Sequence, residues 1–304
     1  KTVSVSTLDV TIQAQNGIQI SVDGSNWKSI VNKTDLQGAS ATYEAAKNQL
    51  PEVLEPVSTA GVPDTDGLFP MFYGSIVTWT STANNGSYIL TSTKETEANG
   101  NVGKFIAYDL FFKVDDDSDI WITDTSGITT TDQTDTGIKN ASRIGFIVKG
   151  NTNAGASLST IQGLNNGTSS AAYIWEPNYN IHTLAGIANA RDVYKITTTE
   201  NAADSLTYSG VLTNITTDDD VLLGNATEEK DATKFKVVTP TYKTKAGFTH
   251  YIPAFKLTKG ITKVRIYMWV EGQDVDCENS ASNGHISFDL QITTDLPEGK
   301  ATTE

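Results

Sequence analysis

The sequence has few of the residues that catalysis, zinc binding or covalent cross-linking ordinarily require. Its 304 residues include a single cysteine, Cys277, and three histidines, His182, His250 and His285. One cysteine excludes an intrachain disulfide and a multi-cysteine zinc site. The histidines are far apart, and no metalloprotease, nucleophile-elbow, phosphate-loop or dinucleotide motif occurs. We therefore predict no enzyme activity and no catalytic residues.

Clustered positive charge and long apolar runs are also lacking. The formal net charge is −14, with 22 Lys and Arg against 36 Asp and Glu. This balance argues against nucleic acid and anionic membranes as partners. No apolar run approaches the roughly 20 residues of a membrane-spanning helix, so we expect no membrane insertion. Abundant Thr, Ser, Asn and Gly are typical of a secreted or cell-surface protein, and we expect that a signal peptide preceded Lys1.

Alternation of apolar and polar residues is the strongest pattern present. It covers 264–270 and 286–292, and we expect these segments to be antiparallel neighbours joined by an acidic loop. Segment 105–114 is apolar on both faces, which indicates a central strand. About a dozen such segments occur, without regular strand–helix alternation. We predict one all-β domain over 1–304, an antiparallel jelly-roll-like β-sandwich.

Helical signals are few. Thr34–Gln37 has the form of a capping box, residues 43–50 are rich in helix formers, and 181–191 is a second candidate. We therefore expect one or two short helices. Long polar or proline-rich stretches predict loop insertions, at 35–74, 123–142, 149–171 and 198–233.

The N-terminal pattern changes phase. Val3 and Val5 share one phase of alternation, whereas Leu8, Val10 and Ile12 carry the other. A β-bulge near residue 6 explains this, and so does a change of sheet after residue 6. Asn16-Gly17 then separates two strand-like segments and predicts a β-hairpin over 8–22.

Acidic loops are the candidate metal sites. Alternating or clustered carboxylates suit Ca²⁺, which takes six to eight oxygen ligands, although the EF-hand pattern fails at Ile120 and Ser126. The alternative interpretation is a solvated acidic turn. We expect no required cofactor, with Ca²⁺ as the one candidate ion. Its candidate ligands are Asp115, Asp117 and Asp119 in one loop, Asp274, Asp276 and Glu278 in another, and Asp218–Asp220 in a third.

Glycan contacts or modification form a further hypothesis. Five tryptophans offer stacking surfaces, but their apolar neighbours predict that most belong to the core. The six Asn-x-Ser/Thr sequons matter only in a host that glycosylates. They begin at Asn32, Asn85, Asn140, Asn166, Asn214 and Asn225.

Four segments resemble secreted Firmicutes proteins of the TasA/camelysin type. They are 5–27, 142–148, 174–178 and the closing 265–277, together about a sixth of the chain. The resemblance implies a jelly-roll subunit, released by a dedicated signal peptidase, that polymerises into biofilm-matrix fibres by N-terminal strand donation. It also implies calcium use in some relatives. A metalloprotease activity is attributed to camelysin-like members, but the scattered histidines here argue against it.

We therefore favour an extracellular filament subunit whose partners are copies of itself. Val3 and Val5 are the expected donor-strand plugs, and residues 1–6 are expected to leave their own subunit and complete a neighbour's sheet. A calcium-dependent monomeric adhesin or glycan-binding module is the alternative, and a secreted hydrolase is the second alternative. We expect Cys277→Ser to leave assembly and stability nearly unchanged.

Overall fold

The fold was analysed in a computed structural model. It describes residues 3–15, 17–78, 88–132, 134, 136–194, 196, 208–216, 231–244, 253–278 and 281–296. No described helix is long and apolar enough to cross a membrane.

The chain is largely β. Its strands are β1 (Val5–Ala14), β2 (Gln19–Ser21), β3 (Ile30–Asn32), β4 (Val53–Leu54), β5 (Met71–Thr78), β6 (Tyr88–Glu95), β7 (Ile106–Val114), β8 (Ser118–Ile122), β9 (Gly127–Thr129), β10 (Ser142–Thr152), β11 (Ala171–Glu176), β12 (Tyr208–Val211), β13 (Phe235–Val238), β14 (Tyr242–Lys243), β15 (Phe255–Leu257), β16 (Gly260–Val270) and β17 (Gly284–Thr293). The α-helices are short: α1 (Lys33–Gly38), α2 (Ile138–Ala141), α3 (Leu158–Gln162) and α4 (Leu184–Asp192).

Two large sheets contain most of the strands. The seven-stranded sheet has the order β15-β8-β17-β1-β3, with β4 also paired to β1 and β9 also paired to β17. The six-stranded sheet has the order β14-β11-β10-β16-β7-β2. Apolar side chains from both sheets, such as Val10 and Ile12 of one and Phe146 and Ile266 of the other, belong to one continuous core. A second core covers the other face of the six-stranded sheet, where Phe69 packs on Tyr267 and Trp269.

The prediction of an antiparallel sandwich is wrong for two strand pairs. β1 lies parallel to β17, and β11 lies parallel to β14. The strand over 264–270 and the strand over 286–292 are both confirmed, but they are not neighbours. β16 pairs with β7 and β10 in one sheet, whereas β17 pairs with β1 in the other. The acidic segment between them therefore crosses from sheet to sheet.

The N-terminal region also differs from the expectation. The phase change is a β-bulge, because the β1–β17 register shifts between Thr7 and Asp9 while the strand stays in one sheet. The hairpin prediction over 8–22 is wrong, since β2 pairs with β7 and not with β1. Alternation identifies which face a residue occupies but leaves the partner strand open.

Other local predictions have mixed outcomes. β7 is buried on both faces between β2 and β16, as its apolar pattern predicts. α4 matches the helix expected over 181–191. The first helix is capped by Asn32 and Asp35 and not by Thr34 and Gln37. No helix follows over 43–50, where the backbone forms turns before reaching Pro51.

The predicted loop insertions contain several short elements. Segment 35–74 includes most of α1, β4 and the start of β5, and 123–142 includes β9 and α2. Segment 149–171 includes α3, whereas 198–233 lies mostly outside the described residues. Trp121, Trp175 and Trp269 are buried, as expected of core residues, and Trp79 lies outside the described part.

Candidate functional site

The first described residues occupy a slot between two strands. Val5 is the register partner of Gly284 on β17 and of Leu54 on β4. Asn283 N donates to Ser4 O at 2.8 Å, and Thr7 N donates to Glu52 O at 2.7 Å. Residues 3–7, which we call the N-terminal segment, thus lie between β17 and β4 and end at the bulge.

The N-terminal segment is buried against its own chain. Val3 is 3% exposed and Val5 is 0% exposed, and both belong to the main core. The expectation that residues 1–6 leave their own subunit is therefore contradicted for residues 3–6 of the single chain. Residues 1 and 2 lie outside the described part. The physical reason is that β17 and β4 both offer ladder partners and that the core accepts both valines.

A cavity of about 240 Å³ adjoins this slot. Residues of β5, β6 and β12 line it on one side. Val3 and Cys277 line it together with Phe72, Leu90 and Val211, and Ser58 and Gln273 supply polar groups. Cys277 is 1% exposed, so its thiol is shielded from solvent. Sequence patterns did not bring these two residues together.

The loop after β16 contains a buried ion network. Arg143 at the start of β10 is fully buried and donates to Glu176 Oε1 at 2.8 Å and to the carboxylate of Asp274. Burial raises the pKa of Asp274 to about 6, because Arg143 only partly offsets it and Asp276 adds repulsion. The network ties β10, the end of β11 and this loop together. The carboxylate of Asp274 is therefore already paired with a cation of the protein, Arg143.

Asp276 holds the neighbouring loop and α4. Its two carboxylate oxygens contact His182 Nδ1 at 2.7 Å and accept from Thr183 N and Thr183 Oγ1, each at 2.8 Å. The side chains of Asp276 and His182 are 0% and 4% exposed. Gly186 is required beside them, since a Cβ there would lie 2.3 Å from Asp276 Oδ1. This acid–imidazole pair is closed to a substrate and joins two loops.

The carboxyl group of Glu271 is buried, and no salt bridge to it occurs among the described residues. It accepts from Trp269 Nε1 at 3.1 Å and from Gln273 N at 3.0 Å. Burial raises its pKa to about 7, although hydrogen bonds from Ser58, Trp269 and Gln273 oppose the shift. Glu271 therefore gains a proton at mildly acidic pH.

The first predicted metal loop has a different environment. Asp115 and Asp117 are exposed in the turn between β7 and β8, and Asp119 is half-buried. Asp117 Oδ1 accepts from Lys259 N at 2.8 Å, and Asp119 lies 3.3 Å from Lys256 Nζ. The acidic residues thus contact Lys256 on β15 and the backbone of Lys259 in the β15–β16 turn.

Among the described residues, no group of three or more His, Cys, Asp or Glu side chains is placed to hold a metal ion. Asp274 and Asp276 are close in sequence, but hydrogen-bond donors of the protein occupy their carboxylate oxygens. Glu278, two residues further on, is half-buried. Asp218–Asp220 and His250 lie outside the described residues. No local sequence pattern indicates Arg143 and His182 as their partners, because both are distant in the chain.

The sequons are distributed over different environments. Asn166 is exposed, whereas Asn140 is 6% exposed. Asn32 caps α1, and Asn214 Oδ1 accepts from Lys94 N at 2.7 Å. Asn85 and Asn225 lie outside the described residues.

Comparison with known proteins returned no matching family model, no matching curated protein and no matching solved structure.

Proposed function

We propose that this chain is an extracellular structural subunit that polymerises by exchanging its N-terminal segment with another copy. The observation that carries the proposal is the position of residues 3–7. They form a short segment that ends at the bulge of β1 and fills a slot between β17 and β4. The same proposal includes a jelly-roll topology for the β-sandwich and a likeness to TasA-type fibre proteins.

Exchange fits the energetics of this slot. Burying a valine side chain is worth about 1.5–3 kcal/mol, so releasing Val3 and Val5 is unfavourable for an isolated chain. An identical segment from a second copy restores the same contacts, which makes exchange of equal elements a low-cost route to association. The bulge between Thr7 and Asp9 supplies the hinge, because the ladder is interrupted there. Each copy donates to the next, so the contact propagates when it does not close into a ring.

A monomeric binding module is the second candidate. It is favoured by the same burial of Val3 and Val5, because a terminus closed on its own chain needs no partner. Calcium use and glycan contact belong to this candidate, and a secreted hydrolase stays the third. The test below separates the first candidate from the other two.

A reversible cross-link tests the exchange. Ser6 and Val53 are antiparallel partners on β1 and β4, and Val53 is 45% exposed. Directly opposed residues of this kind have Cα atoms about 4.5–5.5 Å apart, within the range that a disulfide spans. Ser6→Cys with Val53→Cys is made in a Cys277→Ser background.

Oxidising the monomer should lock the segment on its own chain and stop polymerisation, and a reductant should restore it. Oxidising preformed polymer should give a ladder of covalent multimers on a denaturing gel. The Cys277→Ser parent serves as the matched control and should polymerise under both conditions. Polymer that grows from locked monomers, or oxidised polymer that runs only as monomer, would overturn the exchange. A parent that stays monomeric at high concentration in electron micrographs would favour the binding module.

A further inference from the structure

A second cavity lies on the face of the six-stranded sheet that is turned away from the main core. Its volume is about 340 Å³. Lys149 of β10 and Lys263 and Arg265 of β16 line it, and all three are less than 10% exposed. Ala45, Lys47 and Asn165 line it too and are exposed, so the cavity opens to solvent. Three buried cations around one cavity are unusual in a chain with a net charge of −14.

Two carboxylates partly balance these cations. Arg265 contacts the carboxylate of Glu97 and lies 3.0 Å from Asp109 Oδ1, while Lys263 Nζ lies 3.5 Å from Asp109 Oδ2. Burial alone would raise the pKa of Asp109, but Arg265 and Lys263 hold it below its ordinary value, so this group is ionised. The buried groups thus carry one more positive charge than negative.

Lys149 is the cation without a carboxylate partner among the described residues. Its ammonium group donates to the carbonyl oxygens of Asp66 at 2.6 Å and Gly67 at 2.8 Å. An ammonium group has three donor hydrogens, so one more acceptor is needed than these two bonds supply. Burial lowers the pKa of Lys149 to about 8, and repulsion from Lys263 and Arg265 adds to the effect against the attraction of Asp109.

We propose that this cavity binds a small oxyanion, presented as a phosphate or a carboxylate group, between Lys149, Lys263 and Arg265. An oxyanion there supplies the missing acceptor for Lys149 and balances the surplus positive charge. The size of the cavity suits a small anionic group and not an extended polyanion. This site is separate from the slot, and its occupation would stabilise the packing of segments 43–47, 66–68 and 162–165 on the sheet.

Calorimetric titration with inorganic phosphate and, in a separate arm, with acetate tests this proposal at constant ionic strength. We expect saturable binding of at least one anion, with the stronger arm identifying the group that the cavity prefers. Two variants remove the site in different ways. Lys149→Met deletes the cation, and Ala45→Asp places a negative charge at the exposed mouth while leaving the buried bonds intact.

Both variants should weaken the preferred anion at least about tenfold, which corresponds to about 1.4 kcal/mol. Ala45→Ser and Lys256→Met are the matched controls and should bind as the parent does, because neither changes the charge of the cavity. Circular dichroism confirms that each variant is folded. If Lys149→Met fails to fold, Ala45→Asp still decides the outcome. The proposal is overturned if neither anion binds saturably, or if Ala45→Asp binds as tightly as Ala45→Ser.

Discussion

The acidic loops 115–119 and 274–278 have nearly the same sequence signature and opposite environments. In the first, Asp115 and Asp117 are exposed, and Asp117 accepts a hydrogen bond from the backbone of Lys259 in the β15–β16 turn. In the second, Asp274 and Asp276 are 4% and 0% exposed and are held by residues from β10 and the α4 region. Whether a carboxylate belongs to solvent or to the core is thus decided by partners that lie more than 90 residues away along the chain.

The largest effect is expected from removing the charge of Arg143, which pairs with the buried loop 274–278. Arg143→Met leaves Glu176 and Asp274 buried without a positive partner, and such a loss costs about 3–5 kcal/mol of unfolding free energy. Urea unfolding measures it. Arg191→Met is the matched control, because Arg191 is 63% exposed in its side chain and pairs with exposed Asp192. This substitution should change stability by under about 1 kcal/mol. Equal effects of the two substitutions would remove the contrast between buried and exposed charge.

Glu271 should make stability depend on pH. Its pKa is raised from 4.5 to about 7, so the folded state binds the proton more tightly than the unfolded state does. The contribution of this group is therefore greatest below pH 4.5 and is lost as pH rises toward 7. Glu271→Gln removes the charge but turns a donor amide group toward Trp269 Nε1 or Gln273 N, which are also donors. The stability of this variant relative to the parent should therefore be greater at pH 8 than at pH 4, by up to about 3 kcal/mol.

Unfolding of the Glu271→Gln variant across that pH range, with exposed Glu52→Gln as control, measures the difference. The same gain at both pH values would show that Glu271 is not a protonated buried acid.

Asp276→Asn should have a smaller effect. The substitution keeps the shape of the side chain but removes its charge. The new amide nitrogen is itself a donor, yet it faces N–H and O–H groups that need an acceptor. Since Asp276 accepts from Thr183 at the N-cap of α4, we expect a loss of about 1–2 kcal/mol. Hydrogen exchange should show faster opening of α4 before the sheets open. Unchanged exchange in α4 would mean that the loop does not hold the helix.

The smallest effect is expected at the exposed turn. Replacing Asp115, Asp117 and Asp119 together by Ser should change unfolding free energy by under about 1 kcal/mol in a chelator. The calcium hypothesis makes a further prediction. If this turn binds Ca²⁺, the ion should raise the melting temperature of the parent and not of the triple variant. Identical calcium responses of the two proteins would place any calcium site elsewhere.

Local pattern predicted the elements better than their partners. The two apolar faces of β7 and the helix-forming residues of α4 are read directly from the sequence, since each depends on residues within one element. The sequence does not predict that β16 and β17 belong to different sheets, because any partner strand of suitable length satisfies an alternating pattern equally well. The N-terminal phase change was assigned to two alternatives, and only the local one, a bulge, agrees with the structure.

The candidate site follows the same division. Carboxylates 274 and 276 were recognised as a cluster, but their protein partners Arg143 and His182 carry no local signal. The surplus of buried cations at Lys149 and Lys263 was missed for the same reason. Each of these lysines alternates with apolar neighbours as an outward residue of a strand would, and the covering segments that bury it are distant in sequence.

The parallel pairing of β1 with β17 has a consequence for the order of events during synthesis. Val5 is among the first residues of the sequence, and its partner Gly284 is translated long after it. Closing a loop of this length costs about 5 kcal/mol of chain entropy before any contact rewards it. The pairing of β1 with β17 therefore forms late, and until β17 is translated β1 has only the short strands β3 and β4 as partners in this sheet. Until that moment the nascent chain exposes an adhesive edge, and a chaperone or an export channel that keeps it extended would protect it from premature association.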